Sequence, residues 1–168
     1  SYVMPDSVTS ISNAAFERTN LTEITVSNNV SEIVYYAFAE SQNLQKVVLP
    51  DSLQTISEYA FAYCTNLQSA VIPDNVKTIS HNAFSNCEKL TEVNIPNSLE
   101  YLGAEAFYRA GIKTAVIPAG VKNIAGSAFA SSALEKLTLA EGVISVGPLA
   151  FASTNIKELK LPNSLQTV

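Results

Sequence analysis

The chain has 168 residues, a net charge of −5, and only ten Lys and Arg, which lie scattered along it. That balance argues against a nucleic-acid partner, because phosphate binding needs a concentrated basic face. Within these residues no apolar run approaches the ~18 residues of a membrane-spanning helix, and no signal-peptide or lipidation pattern occurs.

The first element in chain order is a truncated strand around Met4-Pro5, followed by Ala15-Phe16. From there Ala-Phe dipeptides recur with Phe at 16, 38, 61, 84, 107, 129 and 151, at separations of 22, 23, 23, 23, 22 and 22 residues. A period this regular means one structural unit copied end to end, which is the signature of a solenoid. Residues 44 to 61 read LQKVVLPDSLQTISEYAF, 67 to 84 LQSAVIPDNVKTISHNAF, 90 to 107 LTEVNIPNSLEYLGAEAF, and 112 to 129 IKTAVIPAGVKNIAGSAF. The shared pattern is L-x-x-V-x-I-P-x-x-V-x-x-I-x-x-x-A-F. The step from Phe to the next strand-opening Leu is six residues in the longer copies (Phe38 to Leu44) and five in the shorter ones (Phe129 to Leu134).

Each copy can be read position by position. L-x-x-V-x-I ends in alternating apolar residues, such as Val47 and Leu49 or Val93 and Ile95, which predicts a short strand with one buried face. Pro at 50, 73, 96, 118 and 162 has no N–H for a ladder, so it ends the strand and starts a turn. Asp51-Ser52, Asp74-Asn75 and Asn97-Ser98 are turn formers expected to bond their own backbone. V-x-x-I then points two more apolar groups inward, small Ala sits against the neighbouring coil, and Phe fills the middle. One such coil cannot bury these residues alone. Stacking identical coils pairs each strand with its copy, in parallel, about 4.8 Å away. Roughly seven coils give a strand ladder on the order of 35 Å long.

These motifs resemble the BspA-like, or treponemal-type, leucine-rich repeat family, whose repeats of about 23 residues carry L-x-x-V-x-I-P at the strand and A-F-x-x-C after it. The resemblance covers Val3 to Val168. Departures are local: Ser27 and Ala140 replace the strand-ending Pro, and the Gly often found after the Ile is kept only at Gly103 and Gly147. The resemblance implies a β-dominated leucine-rich repeat solenoid with a parallel ladder and short helical turns or 3-10 pieces at the A-F segments. It also implies a bacterial cell-surface or secreted protein, associated with adhesion to other cells or to host matrix proteins such as fibronectin and fibrinogen. We expect residues 1–168 to form a single array truncated at both ends, since neither end looks like a polar cap.

Chemistry is sparse. His81 is the one histidine, at a variable position held by Tyr35, Glu58, Ala104 and Gly126 in other copies, and reads as a solvated surface residue. Asp6, Asp51 and Asp74 all fall after Pro, which turn chemistry explains better than a metal cluster. No spacing fits zinc, calcium or a phosphate loop, so neither a cofactor nor catalysis is expected. The triplets Asn20-Leu21-Thr22 and Asn29-Val30-Ser31 match a glycosylation pattern and are assigned no role. Cys64 and Cys87 share the column three residues after Phe with Thr19, Ser41, Ala110, Ser132 and Thr154. That column calls either for a small buried group or, at its two Cys positions, for a disulfide between coils.

Binding is the expected work of such a surface. Side chains flanking the central V of the strand face away from the core. One outward column is Glu23, Lys46, Ser69, Glu92, Thr114, Lys136 and Glu158; the other is Thr25, Val48, Val71, Asn94, Val116, Thr138 and Lys160. The first column reads as solvation, with opposite charges adjacent at Lys136 and Glu158. The second reads either as plain β propensity or as the apolar centre of a protein-binding patch with a charged rim. A further candidate is Tyr35, Tyr36, Tyr59, Tyr63 and Tyr108 around the A-F segments, which either recognise a partner or cover the Phe column. A spacer that holds another domain outward, or an accessory module of a secreted enzyme, are the competing readings.

Overall fold

The computed structural model describes residues 1–168. Its twelve short strands are β1 (Tyr2–Val3), β2 (Glu23–Thr25), β3 (Glu32–Ile33), β4 (Lys46–Val48), β5 (Thr55–Ile56), β6 (Thr78–Ile79), β7 (Tyr101–Leu102), β8 (Thr114–Ile117), β9 (Asn123–Ile124), β10 (Lys136–Leu139), β11 (Ser145–Val146) and β12 (Glu158–Lys160). Every pairing is parallel, and each joins a strand to its copy one coil away. The chain is thus a parallel β-solenoid of about seven turns. We number the coils by their Phe residues, coil 1 holding Phe38 and coil 4 Phe107, and each coil runs from its strand-opening Leu or Ile to the residue before the next, so that coil 4 is residues 90–111.

The first ladder is the one expected from L-x-x-V-x-I. It runs β1-β2-β4, continues through single bridges at Ser69 and Glu92, and resumes as β8-β10-β12. Its strands are short because proline removes the next rung. Where Ala140 stands in place of Pro, its N–H donates to Ile117 O at 2.9 Å, and β8 and β10 there reach four residues. In coil 4, Pro96 has no such donor, and Asn94 Nδ2 supplies one to Ile72 O at 2.9 Å instead.

A second ladder stands where the sequence suggested only inward-pointing apolar groups. The residues around Ile33, Ile56, Ile79 and Leu102 pair as β3-β5-β6-β7, and those around Ile124 and Val146 as β9-β11. At two residues per strand there is no alternation to detect, so periodicity alone could not find them.

The A-F segments contain no helix, contrary to the helical turns expected there. They are runs of turns in which backbone donors alternate in direction. Phe38 N donates to Ala60 O of the next coil at 2.8 Å, while its neighbours Ala37 and Ala39 donate back three residues, to Val34 O and Tyr36 O at 3.1 Å. Aiming every second N–H along the stack requires a left-handed backbone two residues before and two after each Phe. Fourteen non-glycine residues accordingly have φ between 52° and 59°, Tyr36 and Glu40 among them.

The core is a stack of columns. Phe38, Phe61, Phe84, Phe107 and Phe129 are fully buried, and consecutive rings from Phe16 to Phe151 stack face to face at 5.1–5.7 Å between centroids. The turn residues after Pro do not bond their own backbone as expected. Ser52 Oγ donates to Val30 O at 2.7 Å, Ser98 Oγ to Val76 O at 2.6 Å, and Asn75 Nδ2 to Asp51 O at 2.8 Å, each one coil back. They are inter-coil fasteners. Where glycine replaces them at Gly120, the turn presses so close to coil 4 that a Cβ would overlap Leu99 O.

Candidate interaction surface

The outer face of the first ladder is built by the strand pleat: each core residue such as Val47 is flanked by two side chains on the other face. None of the fourteen residues in the two outward columns is buried. Val48, Val71 and Val116 are 44%, 62% and 51% exposed, which is unusual for branched apolar side chains. Lys46, Glu92, Thr114 and Lys136 are exposed around them, and Ser69, Asn94 and Thr138 are half-buried. A shallow depression of about 260 Å³ between coils 2 and 3 is lined by Lys46, Val48, Asp51, Ser69, Val71 and Pro73. A second, of about 280 Å³, lies between Lys136, Thr138, Glu158 and Lys160. The Lys136 and Glu158 side chains form the adjacent pair expected from their columns, at 2.6 Å.

Asn94 differs from the rest of its column. Its Oδ1 accepts from Ile72 N at 2.7 Å while its Nδ2 reaches Ile72 O. The side chain therefore clamps the backbone of coil 3 and is drawn away from solvent. The apolar stripe is split in two as a result, with Val48 and Val71 on one side and Val116 on the other.

The tyrosines divide. Tyr35, Tyr36 and Tyr59 form one cluster, with Tyr36 stacked on Tyr59 at 4.8 Å and Tyr35 edge-on to Tyr36 at 4.3 Å. Loss of solvent around Tyr36, with a hydrogen-bond interaction with Tyr35 that favours the protonated phenol, pushes it above the usual range. Tyr63 stands 51% exposed outside that cluster, and Tyr108 sits under the Arg109 guanidinium at 5.5 Å. The sequence reading missed a neighbouring pair: the Tyr101 hydroxyl and His81 Nε2 share a hydrogen bond of 2.8 Å across coils 3 and 4. His81 is exposed, as its variable column suggested.

Cys64 and Cys87 are free thiols, fully buried, so the inter-coil disulfide is not formed. Their column holds more than small groups. Cys64 Sγ donates to Phe38 O and Cys87 Sγ to Phe61 O, both at 3.1 Å, and Ser41 Oγ reaches Phe16 O at 2.8 Å. Burial pushes the Cys64 thiol up to about 12 and Cys87 well above its ordinary value, so neither is a nucleophile at neutral pH.

A one-sided parallel ladder with a core of repeated Leu, Ile and Phe columns defines a leucine-rich repeat scaffold. The BspA type leucine rich repeat region matches residues 1–86 and 54–168, with six copies, and the chain belongs to that family. Such repeats are generally non-catalytic binding scaffolds, and no enzyme family is indicated. A solved leucine-rich repeat protein of T. pallidum is 28% identical, with a TM-score of 0.76 over 96% of this chain and 69% of that one. A leucine rich cell surface protein from Faecalibacterium prausnitzii A2-165 is 25% identical, with a TM-score of 0.81 over 93% of this chain and 48% of that one. A leucine-rich repeat protein from Bacteroides ovatus, 24% identical, shares the fold with a TM-score of 0.66 over 99% of this chain and 62% of that one. The chain therefore spans less than two thirds of the length of the last two. No curated protein matches it.

Proposed function

We propose that this array is a protein-interaction module of a bacterial cell-surface or secreted protein, and that it binds through the outer face of its first ladder. The observation that carries the reading is the exposure of Val48, Val71 and Val116 in one column, flanked by Lys46, Ser69, Glu92, Asn94, Thr114, Lys136 and Thr138. An apolar centre with a polar rim is the composition of a recognition surface. Surface location is supported by the family and by the printed description of the Faecalibacterium relative as a cell surface protein. The partner class this favours is a protein, with adhesion to matrix proteins such as fibronectin or fibrinogen as the specific case.

The test is binding of the purified chain to immobilised fibronectin and fibrinogen, beside a Val48→Ser/Val71→Ser/Val116→Ser variant. These side chains already face water, so the variant keeps its fold. Saturable binding that falls at least about tenfold in the variant, or roughly 1.4 kcal/mol, supports the reading. Binding that survives moves the site to Tyr35, Tyr36 and Tyr59. No binding to either protein removes those two ligands and favours a spacer role.

A further inference from the structure

We propose that the boundary between coils 4 and 5 is a hinge, and that the solenoid is two stacks, residues 1–111 and 112–168, that move relative to one another. Both ladders stop at this same boundary. The first has no pairing between Glu92 and Thr114, and the second has none between β7 and β9. At the boundaries between coils 1 and 2, 2 and 3, 3 and 4, and 5 and 6, the hydrogen bonds run on three sides of the coil. Between coils 3 and 4, for instance, Thr91 and Glu92 donate to Gln68 O, Glu100 and Tyr101 to Lys77 O, and Gly103 to Ile79 O, besides the bonds of the turn side.

Across the boundary between coils 4 and 5 the backbone bonds are Glu105 N to Gly126 O, Phe107 N to Ala128 O, Arg109 N to Ala130 O, and Ala133 N to Ala110 O, at 2.8–3.2 Å. All four lie on the turn side or the corner that follows it. The N–H groups of Lys113, Thr114, Lys122 and Ala125, whose counterparts elsewhere donate one coil back, donate to no backbone carbonyl. No side-chain hydrogen bond or ion pair crosses either. Beside the apolar core, which runs on across the boundary, what remains is a single line of bonds next to the Phe107–Phe129 stack at 5.3 Å, with Gly120 nested on Leu99. A line of bonds along one side, with the other sides unbonded, is the geometry of a hinge axis.

Two sequence features meet here. Asn94 turns its amide toward coil 3 and so away from coil 5. The linker after Phe107 reaches Ile112 in five residues where the previous one took six. The reverse change of linker length, after Phe16 and Phe38, leaves β2 and β4 paired, so length alone does not open the boundary. Val93 and Ile95, whose counterparts Val47 and Leu49 are buried, are half-buried beside it. The inference does not depend on which face binds a partner.

The test is pulsed electron–electron resonance on spin labels in a Cys64→Ser/Cys87→Ser background, which keeps a small donor at both sites. One pair, Lys77→Cys with Ile144→Cys, spans three boundaries including the hinge. The control pair, Ser31→Cys with Glu100→Cys, spans three boundaries within the first stack; all four positions are exposed. The expected result is a distance distribution about twice as broad for the hinge pair as for the control. Equal widths overturn the proposal. On the unlabelled protein, hydrogen exchange in rising urea is expected to show residues 1–111 and 112–168 opening at different urea concentrations. A single common opening overturns it as well.

Discussion

At the scale of the residue, the column three places after each Phe shows what a repeat position demands. Its spacing was legible, and so was its preference for small side chains. Its hydrogen bond was not, because the acceptor lies one coil back, at Phe38 O for Cys64. Cys64→Ser is therefore expected to keep the fold nearly as stable, while Cys64→Ala loses about 1 kcal/mol in urea unfolding. Ser132 makes the opposite case, since its buried hydroxyl has no partner. Ser132→Ala is expected to be neutral or slightly stabilising in the same assay. The thiols also set a pH dependence. Burial, the largest cause, raises Cys64 from 9.0 to about 12 and raises Cys87 well above 9.0. The folded state keeps both thiols protonated while the unfolded chain ionises them above pH 9. Their contribution is thus complete below pH 9 and is lost as pH rises from 9 toward 12, at about 1.4 kcal/mol per thiol per pH unit. Urea unfolding at pH 8 and pH 10, compared with a Cys64→Ser/Cys87→Ser variant, isolates this loss. The left-handed positions were invisible in the sequence, because residues as different as Ala14, Tyr36, Asn82, Glu105 and Leu149 share one of them. Leu149 has φ 58° and is 69% exposed, so its side chain contributes little packing to set against that strain. Leu149→Asn is expected to raise stability by about 0.5–1 kcal/mol, read from the urea midpoint.

At the scale of the element, a coil is a strand, a proline turn, a second strand and a run of turns, none of which buries its own apolar side alone. The first strand was legible from alternation at Val47 and Leu49, and the turn from Pro50; the second strand was not, since Thr55–Ile56 is too short to show a period. The helical turns expected at A-F fail because their N–H groups are shared between local turns and the next coil. Proline marks where a rung is given up, and Ala140 tests what one rung contributes. Ala140→Pro removes its bond to Ile117 O but restores the residue found in six other coils, so the cost should be about 1 kcal/mol. A loss of 3 kcal/mol or more in urea unfolding would show instead that coil 6 cannot accept the ring. Phe84 sits between two stacked neighbours at 5.1 and 5.3 Å and is fully buried. Phe84→Ala is expected to cost about 3–5 kcal/mol. The same change at Phe16, half-buried with a stacked Phe on one side only, should cost clearly less.

At the scale of the whole molecule, a solenoid is held by nearest-neighbour interfaces, so its stability is set boundary by boundary rather than by one shared core. The count of coils could be read from Phe spacing alone. The uneven boundary between coils 4 and 5 could not, because it arises from Asn94 bonding backward and from unmade rungs, neither of which alters the period. Charge follows the same division. Residues 1–111 carry five Lys and Arg against twelve Asp and Glu, and residues 112–168 carry five against three. The first part therefore has a net charge of −7 and the second of +2. Like charges in excess repel within a compact body, and salt with a screening length of about 10 Å at 0.1 M weakens that repulsion between surface groups. Raising NaCl from 0.01 to 0.3 M is thus expected to slow amide exchange in residues 1–111 by about twofold or more and to leave residues 112–168 nearly unchanged. Hydrogen exchange followed by mass spectrometry reads both parts in one sample. A uniform response would mean that exchange in either part reports one common opening of the array, whereas a split response means that each part answers to its own charge.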